Sequence, residues 1–189
     1  MSCSKLNNGL TVTCDALERV GGINGRVWLG NINDIASYTI ASNIITAITL
    51  NMGATIFKFE GKKDKNSVSV EVQVGESTIS FKQMLSLVLY SDTSAMNLVI
   101  EGVCKAHDLF AIVEANDGQF EVWGLDVLAG STSYPVGGLN CESGSANSGV
   151  TIDERQAFNL TLSGTFRNMD RKFLDTDYAT TIAAIEALE

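Results

Sequence analysis

Five carboxylates in the second half of the chain, Asp117, Glu121, Asp126, Asp153 and Glu154, are the residue type that glycoside hydrolysis needs in pairs. In that chemistry one carboxyl protonates the leaving oxygen and the other attacks or activates water. With 22 acidic side chains against 13 basic, however, solvated strand faces account for them more simply. The single imidazole is His107, followed by Asp108, at the end of a helical pattern. A helix C-terminus favours a cation, so a capping or surface role fits His107 better than that of a general base. Cys3, Cys14, Cys104 and Cys141 form no C-x-x-C pair, and their spacing matches no zinc ribbon or finger. They read as reduced thiols, mostly buried. Gly21, Gly22 and Gly25 lack the order of a dinucleotide fingerprint and read as turn residues. No nucleophile elbow, P-loop, zincin motif or EF-hand loop occurs. Trp28, Trp123 and Tyr134 offer a ligand platform on paper, although Trp123, on an alternating strand, reads as core. These residues therefore predict no enzyme, no cofactor and no metal site.

The elements that would position any site are mostly strands. Apolar residues alternate through Val27 and Leu29, then from Ile40 onward. Residues 44–50 and 55–60 flank Asn51–Met52–Gly53 and predict a β-hairpin, with glycine supplying a positive φ. Val68, Val70, Val72 and Val74 alternate with Ser69, Glu71 and Gln73, and after Gly75–Glu76 the run Ile79, Phe81, Leu85, Leu87 and Leu89 shares one face. This predicts two long antiparallel strands over 66–75 and 78–90, with the valines packed inward against a helix.

That helix is the 94–106 segment, where Met96, Val99, Ile100 and Val103 recur at three- and four-residue spacing behind a cap at Asp92, Thr93 or Ser94. Strands follow at 109–114 and 120–125 around Asp117–Gly118, and another at Phe158–Gly164. Residues 130–149, with five glycines and five serines, predict a long polar loop whose composition does not fix one conformation. A short C-terminal helix is expected over 176–188, with Ile182, Ile185 and Leu188 on one side. The fold class is mainly β: an antiparallel sandwich or barrel with one flanking helix, in one domain spanning 1–189.

The 189 residues are enough to bury a full core, and no apolar run reaches the ~18–20 residues that cross a bilayer. The opening residues lack the basic and apolar blocks of an export signal, so an intracellular setting is expected. The net charge of −9 falls on residues 61–189, since the first 60 balance. Such a surface repels a phosphate backbone, which argues against sequence-specific nucleic-acid binding.

The order of elements resembles the tail-tube proteins of tailed bacteriophages and the tube-forming haemolysin-coregulated proteins of type VI secretion. The stretches Gly9–Leu10, Cys14–Asp15–Ala16–Leu17–Glu18, Val20–Gly21–Gly22–Ile23, Ile100 to Asp108 and Asp117–Gly118–Gln119–Phe120 resemble virion structural proteins of phages of Bacteroidetes-like hosts, including the crAss-like group. The resemblance covers residues 9–166 and implies a tail-tube or neck-ring subunit of the virion, assembled in the host cytoplasm. In that family hexameric rings join their inner strands into one barrel and stack, with neighbouring tail or neck proteins as partners and DNA only as passing cargo. It further implies Ser69, Glu71, Gln73 and Lys82 as lumen-facing residues of an acidic wall. Tyr134, Pro135, Leu139 and Asn140 would belong to a loop between subunits. A carbohydrate-binding or host-attachment sandwich and a carboxylate-based hydrolase are the competing readings.

Overall fold

A computed structural model describes residues 22–62, 65–76, 78–90, 93–126, 135–147, 157–174 and 177–189. The chain is mainly β, as the alternation predicts, and the arrangement is a layered, sandwich-like stack of antiparallel sheets. The middle layer has the order β13-β8-β7-β1-β4, built from β1 (Ile23–Asn31), β4 (Phe57–Glu60), β7 (Leu109–Ala115), β8 (Phe120–Trp123) and β13 (Arg171–Lys172). A four-stranded layer, β11-β12-β6-β5, lies on one side: β5 (Ser67–Val74), β6 (Ile79–Tyr90), β11 (Asn140–Asn147) and β12 (Ala157–Phe166). The hairpin of β2 (Ile35–Ala41) and β3 (Ile44–Leu50) lies on the other side with the C-terminal helix α2 (Tyr178–Glu186), and β9 (Leu125–Asp126) pairs with β10 (Val136–Gly137).

Burial follows the layers. One core joins Val27, Leu29, Ala111 and Val113 of the middle sheet to Leu85, Leu87, Leu160 and Leu162 of the four-stranded sheet. Helix α1 (Ser94–Lys105) contributes Ile100 and Val103 to that same core. The second core packs Trp28, Phe110, Ile112 and Val122 against Tyr38, Ile45 and Ile185. With both faces covered, β7 reads as a continuous apolar run rather than an alternation. Each fully buried aliphatic side chain contributes about 1.5–3 kcal/mol.

Local chemistry explains both helices. Thr93 caps α1 by accepting the Met96 N–H at 3.2 Å, and Glu101 pairs with Lys105 one turn on. Asp177 caps α2 through the Thr180 N–H at 3.1 Å. The expected side of α2 holds: Ile185 is buried, and Ile182 and Leu188 pack against the second core.

The expected pairing of 44–50 with 55–60 does not form. β3 pairs with β2 instead, through Ser42 and Asn43, both at positive φ (51° and 67°). Such a pair of left-handed residues suits a two-residue hairpin turn. The Asn51–Gly53 turn then carries the chain away, so β4 joins the edge of β1, Phe57 opposite Leu29 and Glu60 opposite Arg26.

The Gly/Ser segment is also corrected. Within 130–149, residues 140–147 form β11, paired with β12 over its whole length. Polar composition does not prevent a strand where only one side of it meets a partner and small residues permit close approach. A Cβ on Gly144 would lie 2.8 Å from the Phe158 ring, so glycine lets the strand lie down there. Residues 130–134, including Tyr134, and 148–149 lie outside the described residues.

Candidate assembly surface

The two long strands expected over 66–75 and 78–90 pair as antiparallel β5 and β6, with Glu71 opposite Lys82 and Val72 opposite Phe81. Residues opposite each other share a face. Ser69, Glu71, Gln73 and Lys82 therefore lie on the face turned away from the core, together with Ser86, Asn159, Thr161 and Ser163. Ser69, Glu71 and Gln73 are exposed, and Lys82 is half-buried. This face is mostly hydroxyls and amides, with Met84 and Val88 among them, rather than an acidic wall.

Its lysine is paired with a glutamate from β11. Lys82 Nζ lies 2.6 Å from Glu142 Oε1, and the lysine together with a hydrogen bond from Ser163 holds the Glu142 carboxyl below its usual range. The register shift between Cys141 and Ser143 sits at Glu142. Sequence reading missed this residue because it lies within the glycine- and serine-rich run, where no periodicity marks a face.

β5 and β11 are the two edges of the four-stranded sheet. Each presents one row of backbone N–H and C=O groups with no further strand partner among the described residues, which is the template for strand addition.

The inward face of β5 departs from expectation. Val68 and Val70 pack on the core shared with Ile100 and Val103, but Val72 and Val74 are 57 % and 78 % exposed. Ile79, opposite Val74, is 64 % exposed. The reason lies at Gln83, opposite Val70 and fully buried, which accepts the Gly124 N–H at 2.9 Å and donates to the Asn168 carbonyl at 3.2 Å. Past this polar bridge the core continues under β12 at Phe166, while the end of the β5–β6 hairpin runs on uncovered.

The residues expected to form an inter-subunit loop are partly internal. Leu139 is fully buried and exchanges backbone hydrogen bonds with Leu109 at 2.7 and 3.0 Å. Asn140 Oδ1 accepts the Asp108 N–H at 3.2 Å and lies at the same distance from His107 Nδ1. Pro135 is half-buried. Leu139 and Asn140 thus fasten β11 to the chain after α1. His107 is exposed beyond the helix end, as expected for a surface role.

At the other end of β6 an apolar groove of about 850 Å³ opens between α1 and β4. Phe57, Phe59, Leu89, Met96, Val99 and Val103 line it, with Lys58 and Glu60 at its rim, 3.0 Å apart.

The remaining candidates have structural partners. Asp126 is buried and accepts from Asn168 Nδ2 at 3.0 Å and from the Arg167 N–H at 3.4 Å. Asp117 accepts the Gln119 N–H in its turn. Burial, then the charge of Asp170, raises the Glu121 carboxyl, and burial raises Asp170 as well. Asp153 and Glu154 lie outside the described residues. The aromatic platform is not assembled as read: Trp28 and Trp123 are both core residues, and Trp28 Nε1 donates to Glu189. Cys104 and Cys141 are free thiols, and burial plus a hydrogen bond to Cys141 pushes Cys104 up to about 11. Among the described residues no helix is long and apolar enough to cross a membrane, and no His, Cys, Asp and Glu cluster gathers to hold a metal.

Comparison with protein-family models, with curated proteins and with solved structures returns no match.

Proposed function

We propose that the chain is a structural subunit of a ring- or tube-forming assembly of the phage-tail type, copies joining through the edges of the four-stranded sheet. The observation that carries this reading is that sheet itself: open on both edges among the described residues, apolar on the face toward the core and mostly polar on the other. Repetition around an axis brings β5 of one copy beside β11 of the next. The closed barrel that results removes the unpaired backbone rows that make a long edge an aggregation liability. The polar face then lines the lumen. It carries Glu71 and Glu142 against Lys82, a weakly acidic and hydroxyl-rich wall over which DNA slides without displacing counterions.

Negative-stain microscopy of the purified protein tests this. Rings or tubes with an open channel are the expected result. A particle that stays monomeric at every concentration overturns it.

A further inference from the structure

The two ends of β6 differ in shape and in charge. At one end the β5–β6 hairpin projects past the core, with Val72, Val74 and Ile79 exposed on one face. At the other, Leu89 and Tyr90 form part of the apolar groove. Twelve residues of β6 separate them, about 36 Å at the strand rise. Exposed contiguous apolar surface at both ends of one strand marks interaction sites, since a soluble monomer gains nothing from it.

We propose that the hairpin tip of one copy seats in the α1–β4 groove of a second copy, joining subunits end to end along β6. The inference rests on the tube reading for its biological meaning, with this contact as the joint between successive rings, but its geometry stands on the two ends alone.

Charge complements shape. The tip segment 67–79 carries Glu71 and Glu76 and no lysine or arginine. Of the described residues in the segment beside the groove, Lys58, Lys62 and Lys65 stand against Glu60 alone. Gly61 bridges to Leu89, which places the start of that lysine run next to the groove wall. Lys62 and Lys65 are both exposed. An acidic tip thus meets a basic socket, and the same arrangement opposes tip-to-tip and socket-to-socket pairing.

Area sets the strength. Val72, Val74, Ile79, Phe57, Met96 and Val99 are each between 44 % and 78 % exposed. Covering them removes on the order of 500 Å² of side-chain surface. A stable pairwise interface buries about 1,200–2,000 Å². One joint is therefore weak, and the contact accumulates when a ring presents several joints together. Because tip and groove are different surfaces, the contact is heterologous and propagates instead of closing a dimer.

The test introduces opposite charges at exposed positions of the full chain. Val74→Lys places a cation on the tip, and Val99→Glu places an anion in the groove; circular dichroism checks that each folds. Microscopy and sedimentation of the wild type should show end-to-end stacks that shorten as salt rises. Each single variant should reduce stacking at least tenfold, and the double variant should restore it. The milder pair Val72→Thr and Val74→Thr should weaken stacking without adding charge, and serves if a charged variant fails to fold.

Single variants that stack like the wild type overturn the proposal while rings, if present, leave the ring reading standing. Singles that break stacking with no restoration in the double also overturn it, because tip and groove then do not face each other. Linear filaments without rings, lost in both singles and regained in the double, support this joint and sink the ring reading. A wild-type chain that never associates overturns both.

Discussion

Arg26 on β1 and Glu114 on β7 form an ion pair, Nε to Oε2 at 2.7 Å, with the glutamate side chain only 4 % exposed and the arginine 32 %. Glu114 Oε1 also accepts from Asn24 Nδ2 at 3.0 Å and from the Tyr178 hydroxyl at 3.1 Å, and Arg26 donates to that same hydroxyl. The cluster fastens α2 to the middle sheet.

The asymmetry of burial makes the two halves of this pair unequal. Arg26→Met leaves a buried carboxylate without its cation and is expected to cost about 3 kcal/mol. Glu114→Gln leaves an arginine that water already reaches, and should cost about 1–2 kcal/mol. Tyr178→Phe should cost about 1 kcal/mol. Denaturant unfolding of the three variants checks the order; equal costs for the first two would show that burial does not set them.

Face assignment on the β5–β6 pair gives the next expectation. Val72→Asp should fold, because Val72 is exposed, whereas Leu85→Asp places a charge in a fully buried position and should abolish folding. Glu71→Lys, on the exposed polar face beside Lys82, should change stability by no more than about 0.5 kcal/mol. In assembled particles it should make DNA retention appear and fade with salt. Expression yield, circular dichroism, denaturant unfolding and filter retention across a salt series read the four outcomes.

Gly138 lies at φ +132°, and a Cβ there would fall 2.4 Å from the Asp108 Cα. The obstacle is backbone, which cannot swing aside as a side chain can. Gly138→Ala should cost at least about 2 kcal/mol, from strain at a left-handed position and from displacing the segment that holds Leu139 against Leu109. Gly102, with open space where its Cβ would sit in an exposed turn of α1, should instead gain up to about 1 kcal/mol as alanine. Thermal unfolding of the two variants should move in opposite directions.

Stability should fall as pH rises above the ordinary carboxylate range, through the contribution of Glu121 and Asp170. Both carboxyls are raised in the fold, Glu121 by burial and then by the charge of Asp170, and Asp170 by burial. The folded state therefore holds protons that the unfolded chain has released. The cost is absent below the unfolded values near pH ~4 and grows until pH passes the raised folded values. Glu121→Gln keeps an acceptor for Trp123 Nε1, 3.2 Å away, and should flatten this decline. Melting temperature against pH for wild type and variant checks it; parallel curves would remove Glu121 from the account.

The strand-rich class, helix α1 with a cap among Asp92, Thr93 and Ser94, the side of α2 that packs, and the polar face holding Ser69, Glu71 and Gln73 were all legible in the sequence. Each is written in local period: two residues for a strand, 3.6 for a helix, and a hydroxyl or carboxylate at the first turn. Tertiary structure alone decided the rest. Period two says which side of a strand is apolar but not which strand lies beside it, so β3 joined β2 and β4 joined β1. Nor does it say how far the opposing layer extends, which is why Val68 is covered and Val74, in the same alternation, is not. Partnership also settled β11: its small polar residues carry no hydrophobic signal, and they form a strand because β12 offers a row of backbone partners along its length, with the Phe158 ring lying close over Gly144. Leu139 and Glu114 are buried for a similar reason. Their surroundings come from residues about 30 and 90 positions away in the chain, and no local pattern encodes a contact at that separation.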